Sequence, residues 1–183
     1  RSTGTKVLSV SGDCKKPGIY EIQFGLTIRE LLEKVGAQDA AAVQVGGPSG
    51  TIIAPAEFDR AICFDNLATG GSIMIFGAER NILEVAAAFM EFFCEESCGY
   101  CTPCRVGNVL LKNCLEKIAA GHGTEEDLEY LQRLAQTVKA TSRCGLGQTS
   151  PNPVLMTLKN FRDRYTQLLR QTEKGRQLDF DLE

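Results

Sequence analysis

Histidine is almost missing from this chain: His122, in a Gly-His-Gly turn, is the single one among 183 residues. With it goes the usual general base of hydrolytic and nucleophilic sites. Gly-x-Ser-x-Gly, Walker and Gly-x-Gly-x-x-Gly signatures are missing too. His122 stands between two helical patterns among polar neighbours, which predicts an exposed loop residue. No apolar run approaches the ~20 residues that cross a bilayer, so direct membrane insertion is excluded. Neither sign of charge dominates: the formal net charge is -3 with no basic cluster, which argues against nucleic acid as a partner. Nothing at the N-terminus resembles a secretion signal, and a cytoplasmic protein or subunit is expected. No catalytic residue is assigned.

What the chain does have is cysteine, eight in all. Without a secretory context this points to metal chemistry in a reducing compartment. Cys98, Cys101 and Cys104 form C-x2-C-x2-C within Ser-Cys-Gly-Tyr-Cys-Thr-Pro-Cys, and Cys144 arrives much later in Arg-Cys-Gly-Leu-Gly. Three thiolates on one tight loop and a fourth from a distant segment suit a cuboidal [4Fe–4S] core, three irons held by the loop and one by the remote ligand. Structural zinc also takes four thiolates, but its ligands usually come as two separated pairs. Zinc, and disulfides or inert thiols, stay open as alternatives. Cys94, one turn before Cys98, is the rival ligand. It falls within the incoming helix, and the set is complete without it. Cys14, Cys63 and Cys114 read as small buried hydrophobes, Cys114 lying at i+4 from Leu110 on an apolar helical face.

At 43% hydrophobic, the chain can bury one good core or two small ones. Residues 6–11 alternate apolar and polar like a half-buried strand, Pro17-Gly18 marks a turn, and residues 19–24 supply the partner. Thr27 with Glu30 forms a capping box that opens a helix, stopped by Gly36. Further strands are expected at residues 42–45, 51–54 and 72–76. Strand, strand, helix, strand, strand is a β-grasp order. The stretches Val-Ser-Gly-Asp-Cys-Lys-Lys-Pro-Gly-Ile-Tyr-Glu, Thr-Ile-Arg-Glu-Leu-Leu and Val-Gly-Gly-Pro-Ser-Gly resemble the soluble-ligand-binding β-grasp module. A spacer or docking role explains these glycines as well as a ligand does.

From Asn81 the period lengthens to about 3.6, and Ile82, Val85, Ala86, Phe89, Met90 and Phe93 form an apolar stripe leading into the cysteine loop. Phe89, Phe92 and Phe93 are expected in the core. Gly99 lets the loop fold between ligands, and Pro103 fixes the backbone before Cys104, the expected start of a helix through Val106, Val109, Leu110, Cys114 and Leu115. Arg105 is either a positive charge beside the metal or a solvated surface residue. Thr124 caps a third helix packed through Leu128, Leu131, Leu134, Ala135 and Val138. Cys144 then lies in a flexible turn, and Ser150-Pro151 opens one last helix carrying Val154, Leu155, Leu158, Phe161, Tyr165, Leu168 and Leu169. The expected architecture is α+β: a β-grasp domain over residues 1–79, then an all-α four-helix bundle over residues 80–183 that carries the cluster.

Glu-Ser-Cys-Gly-Tyr-Cys-Thr-Pro-Cys-Arg-Val-Gly and Cys-Gly-Leu-Gly resemble the iron–sulfur end of the flavin-bearing, NADH-oxidising subunit of respiratory complex I, and of the diaphorase subunits of NAD-linked hydrogenases and formate dehydrogenases. Cys-Gly-Leu-Gly-Gln-Thr-Ser-Pro-Asn-Pro is more similar to the hydrogenase and formate dehydrogenase branch. The resemblance implies Cys98, Cys101, Cys104 and Cys144 as ligands of one [4Fe–4S] cluster that relays single electrons from FMN, reduced by NADH, toward clusters of partner subunits. By the same resemblance those partners are a thioredoxin-like 2Fe–2S subunit and a ferredoxin-like cluster subunit. The family's glycine-rich FMN and NAD domain does not precede Arg1. The chain therefore reads as the C-terminal portion of a longer subunit or a split version, with FMN and NAD expected only in the complete subunit. A binding or assembly module with a silent structural metal, and a free-standing ferredoxin-like carrier, are the competing functions.

Overall fold

The computed structural model describes residues 2–170. Two ends of the expected domains, Arg1 and residues 171–183, lie outside them. The first hairpin pairs β1 (Thr5–Gly12) with β2 (Gly18–Gln23), and α1 (Ile28–Val35) follows. Then come β3 (Ala40–Val45), β4 (Thr51–Ile53), a 3-10 turn at Pro55–Glu57, and β5 (Ser72–Gly77). The five strands form one mixed sheet in the order β2-β1-β5-β3-β4, with β1 and β5 parallel and the other neighbours antiparallel.

The start and stop of α1 follow from its ends. The Thr27 side chain accepts from the Glu30 backbone N–H at 3.2 Å, and Glu30 returns the bond to the Thr27 N–H at 2.8 Å. Gly36 then turns into the left-handed region at φ 70°, where a side chain would be strained. Ile28, Leu31, Leu32 and Val35 are buried with one face of the sheet, formed by Leu8, Val10, Val43, Val45, Ile53, Ile73 and Ile75. Because side chains alternate across a strand, Ala42 and Ile52 point the other way and join a second core with the helices. The sheet is thus covered on both faces, which explains why β3 is buried along most of its length.

The helices are α2 (Ile82–Glu96), α3 (Thr102–Ala119), α4 (Glu125–Thr141), the short α5 (Gly145–Thr149), α6 (Asn152–Asn160) and α7 (Arg162–Thr166). α2 packs on α3, α3 on α4, α4 on α6, and α6 on both α2 and β4. Asn160 Nδ2 donates to Ile52 O at 3.0 Å and to Glu57 Oε2 at 2.7 Å, tying the end of α6 to the sheet. Asp13 ties the sheet to the start of α2, accepting from the Gly77 N–H at 3.0 Å and pairing with Arg80 at 2.8 Å.

Several expectations need correcting. The last helix begins at Asn152 and breaks at Phe161, whose φ of -136° and ψ of 33° leave the helical region. Tyr165 is nevertheless fully buried, its hydroxyl 2.6 Å from Thr157 Oγ1. The inner face of α3 runs through Cys104, Gly107, Asn108, Leu111, Cys114, Leu115 and Ile118. Val106, Val109 and Leu110 face outward, because the helical period counted from buried Cys104 skips them. Phe93 is buried, whereas Phe92 is exposed and meets Phe93 edge-on. Cys114 is buried as expected, but Cys14 and Cys63 are only partly so. His122 is exposed. Among the described residues no helix is long and apolar enough to cross a membrane.

Candidate metal centre

The loop between α2 and α3 starts at Ser97, where α2 ends in extended backbone. Gly99 takes φ +74°, a conformation that L side chains rarely adopt, so the loop reverses between Cys98 and Cys101. Cys101 is the N-cap of α3, Pro103 sits in its first turn, and the helix begins two residues before the expected Cys104. Cys98 is exposed, Cys101 half-buried and Cys104 buried. Arg105 is exposed but folds back and donates to Gly99 O, bracing the loop.

Cys144 is not in a flexible turn. It is the exposed N-cap of α5, with φ -129° and ψ 170°. Two sets of contacts hold this segment against the first loop. Arg143 Nη1 donates to Tyr100 Oη at 2.9 Å, and its guanidinium lies 5.0 Å from the Tyr100 ring centroid, a cation–π contact. Deeper in, α5 lies so close to the end of α4 and the start of α3 that a Cβ on Gly147 would stand 2.6 Å from Ser142 Cβ and 3.1 Å from Cys104 Cβ. The second glycine of Cys-Gly-Leu-Gly is therefore demanded by packing, while Gly145 has open space around it.

The thiols differ in environment. The backbone N–H of Arg143 lowers the Cys101 pKa, helped by the N–H of Cys104 and by the charge of Arg105. Those amides favour the thiolate that a metal ligand must be. Cys104 Sγ lies 3.3 Å from Ser97 Oγ and 3.5 Å from Asn108 Nδ2. Cys94 remains in the last turn of α2, and burial pushes its thiol up. That disfavours ligand chemistry there. Ser142, between α4 and α5, has a buried Oγ without a partner among the described residues.

The four predicted cysteines therefore stand at two adjoining segments, tied by Tyr100–Arg143 and Gly147–Cys104. Among the described residues no three Cys, His, Asp or Glu side chains converge as ligands of a single ion. A cluster gives each thiolate its own iron. The donor set, an all-thiol quartet with backbone N–H groups directed at Cys101, fits such a cluster. Sequence reasoning missed Arg143, Tyr100 and Ser97, and read Ser150 only as the opening of a helix. Asn108 carried a visible signal, being a polar residue on the stripe of α3 that starts at Cys104.

Comparison with known proteins places the chain. It is 45% identical, over its whole length, to the "NAD-reducing hydrogenase HoxS subunit alpha" of Cupriavidus necator, covering 30% of that protein. It is 34% identical over 90% of its length to an NADH-quinone oxidoreductase subunit of Rhizobium meliloti, covering 42% of it. In three dimensions it resembles a chain of an NAD+-reducing [NiFe]-hydrogenase crystallised in the H2-reduced state. The TM-score is 0.89 and the identity 37%, over 94% of this chain and 31% of that one. The chain thus spans about a third of the length of the first of these relatives. Residues 84–168, from α2 through α7, match the family described as the NADH-ubiquinone oxidoreductase-F iron-sulfur binding region.

Proposed function

We propose that this chain is the electron-transfer module of an NADH dehydrogenase or diaphorase-type oxidoreductase. The proposed division is a β-grasp domain over residues 1–79, described from residue 2, and a four-helix bundle over residues 80–183, described as far as residue 170, that holds one [4Fe–4S] cluster through Cys98, Cys101, Cys104 and Cys144. The cluster supplies reversible one-electron chemistry between FMN and the clusters of partner subunits. FMN and NAD belong to the complete subunit. No residue of this chain is assigned to them, and none is assigned a catalytic role. The 45% identity to a hydrogenase subunit, against 34% to an NADH-quinone oxidoreductase one, favours an NAD-linked hydrogenase as the parent complex. In that setting the partners are a thioredoxin-like 2Fe–2S subunit and a ferredoxin-like cluster subunit, in the cytoplasm.

The observation that carries this reading is the docking of the Cys144 segment on the cysteine loop through Arg143–Tyr100 and Gly147–Cys104. The chain's own residues then have definite tasks. Gly99 and Arg105 shape the loop that presents three thiolates, and α5 presents the fourth. The amides of Arg143 and Cys104 offset negative charge at Cys101. Buried Phe93 and Leu111 belong to the apolar core from which α2 and α3 lead to the loop. Cys144→Ser tests the assignment: iron per chain and the four-iron EPR signal should both fall. Full retention of both would remove Cys144 from the ligand set.

A further inference from the structure

Of the four cysteines, Cys104 alone is buried, at 5% exposure, and it meets a polar side chain from deep within the helices. Asn108 lies one turn along α3 with no solvent exposure. Its Nδ2 donates to Cys104 Sγ at 3.5 Å, and its Oδ1 accepts from Ser150 Oγ at 2.7 Å. Ser150 is equally buried and begins the segment between α5 and α6. Its hydroxyl also lies 3.1 Å from Gly147 O.

Asparagine is a costly choice on this stripe. Its neighbours at Leu111, Leu115 and Ile118 are apolar, and a buried amide is tolerated only when its donors and acceptor are matched. The amide's orientation is dictated by chemistry. A metal-bound thiolate has no proton to give, so sulfur takes the N–H and the carbonyl is left for the Ser150 hydroxyl. Serine, amide and sulfur then form one directed chain, starting on the Cys144 side of the site and ending on a ligand of the cysteine loop.

We infer that Asn108, oriented by Ser150, is a positioning residue that sets the reduction potential of the centre through its N–H···S bond to Cys104. This rests on the proposed cluster. Reduction adds negative charge to the ligating sulfurs, which strengthens hydrogen bonds donated to them, and the strengthening is largest where water is absent. The bond therefore stabilises the reduced state and raises the midpoint. Ser97 Oγ also lies 3.3 Å from Cys104 Sγ while accepting from the Gly99 N–H at 3.3 Å, and so is a second donor to the same sulfur, half-buried in the loop and unchanged in every variant of the test.

The test is an EPR-monitored redox titration of the full chain, reconstituted anaerobically with iron and sulfide, as wild type, Asn108→Leu and Ser150→Ala. Asn108→Leu should lower the equilibrium constant for reduction several-fold, a tenfold loss being a negative midpoint shift of about 59 mV for a one-electron couple. Ser150→Ala should shift the midpoint in the same direction and by less. Variants that keep four irons and the wild-type midpoint overturn the inference. If Asn108→Leu does not fold or take up iron, Ser150→Ala decides: an unmoved midpoint overturns it just as well. A wild type without a four-iron signal defeats the cluster itself, so the two failures are distinct.

Discussion

Gly147→Ala, compared with Gly145→Ala, probes how closely α5 must approach the cysteine loop. The added methyl at position 147 would stand 2.6 Å from Ser142 Cβ and 2.7 Å from its Oγ, with Cys104 Cβ at 3.1 Å. Ordinary contact begins at 3.4 Å, so α5 must retreat by about 0.8 Å from Ser142, the difference between 3.4 and 2.6 Å, and by about 0.3 Å from Cys104, the difference between 3.4 and 3.1 Å. Forcing an extra carbon into such a site costs about 1–3 kcal/mol. Alanine's better helix propensity returns up to about 1 kcal/mol. Gly145→Ala gains the same propensity, so the two variants differ by the packing cost of about 1–3 kcal/mol, and at roughly 2–4 °C per kcal/mol for a chain of this size the Tm of metal-free Gly147→Ala lies about 2–12 °C below that of Gly145→Ala. The same retreat carries Cys144, the N-cap of α5, away from Cys104, so iron content after reconstitution should fall as well. Gly145→Ala meets open space and has an ordinary φ, and should leave both readouts near wild type. Thermal melts with parallel iron assays decide the matter. Equal behaviour of the two variants would refute the close packing of α5 on Ser142 and Cys104.

Two titrations follow from the structure. The Arg80 guanidinium, followed by the Gly77 N–H, holds the Asp13 carboxyl down at about 2. Its folded pKa lies below its unfolded one, so the stability it contributes is present above about pH 4 and is lost as the pH falls toward 2. Melts at pH 5 and pH 3 should converge less steeply in Asp13→Asn than in wild type, and identical slopes would contradict the pairing. Burial pushes the Cys114 thiol up to about 11, with Asp127 adding to it. Here the folded pKa is raised, so the contribution is complete below the unfolded value near 8.5 and is lost as the pH climbs toward 11. Mass-spectrometric mapping of the metal-free chain after iodoacetamide at pH 8 should find Cys98 and Cys144 modified and Cys114 protected until denaturant is added. Modification of Cys114 at the rate of Cys98 would contradict its burial.

Local rules of sequence were sufficient wherever a structure is closed by neighbours in the chain. The Thr27–Glu30 box closes as expected. So does that of Thr124, whose side chain accepts from the Asp127 N–H at 3.4 Å and whose own N–H reaches Asp127 Oδ2 at 2.8 Å. The strands followed from alternation, and the candidate ligands from cysteine spacing. What stayed hidden depends on contacts distant in sequence. The break at Phe161 follows neither Pro nor Gly. It comes where Asn160 is held by Ile52 and Glu57, more than a hundred residues away. The five residues of α5 are too few to show a period, and its glycines read as a turn until packing against Cys104 explains one of them. The face of α3 was misread because Val106, Val109 and Leu110 are apolar yet outward, while Gly107 and Asn108 are inward. Gly107 is inward because α4 comes too close for any side chain there, Val138 occupying the space. Arg143 and Tyr100 meet only through the fold.

The most direct measurement is iron and acid-labile sulfide per chain, taken with the EPR spectrum of the dithionite-reduced protein after anaerobic reconstitution. The account predicts four of each, with a signal from a cluster that takes up one electron and gives it back on reoxidation. A single zinc per chain, or iron that shows no reversible one-electron change, would contradict it.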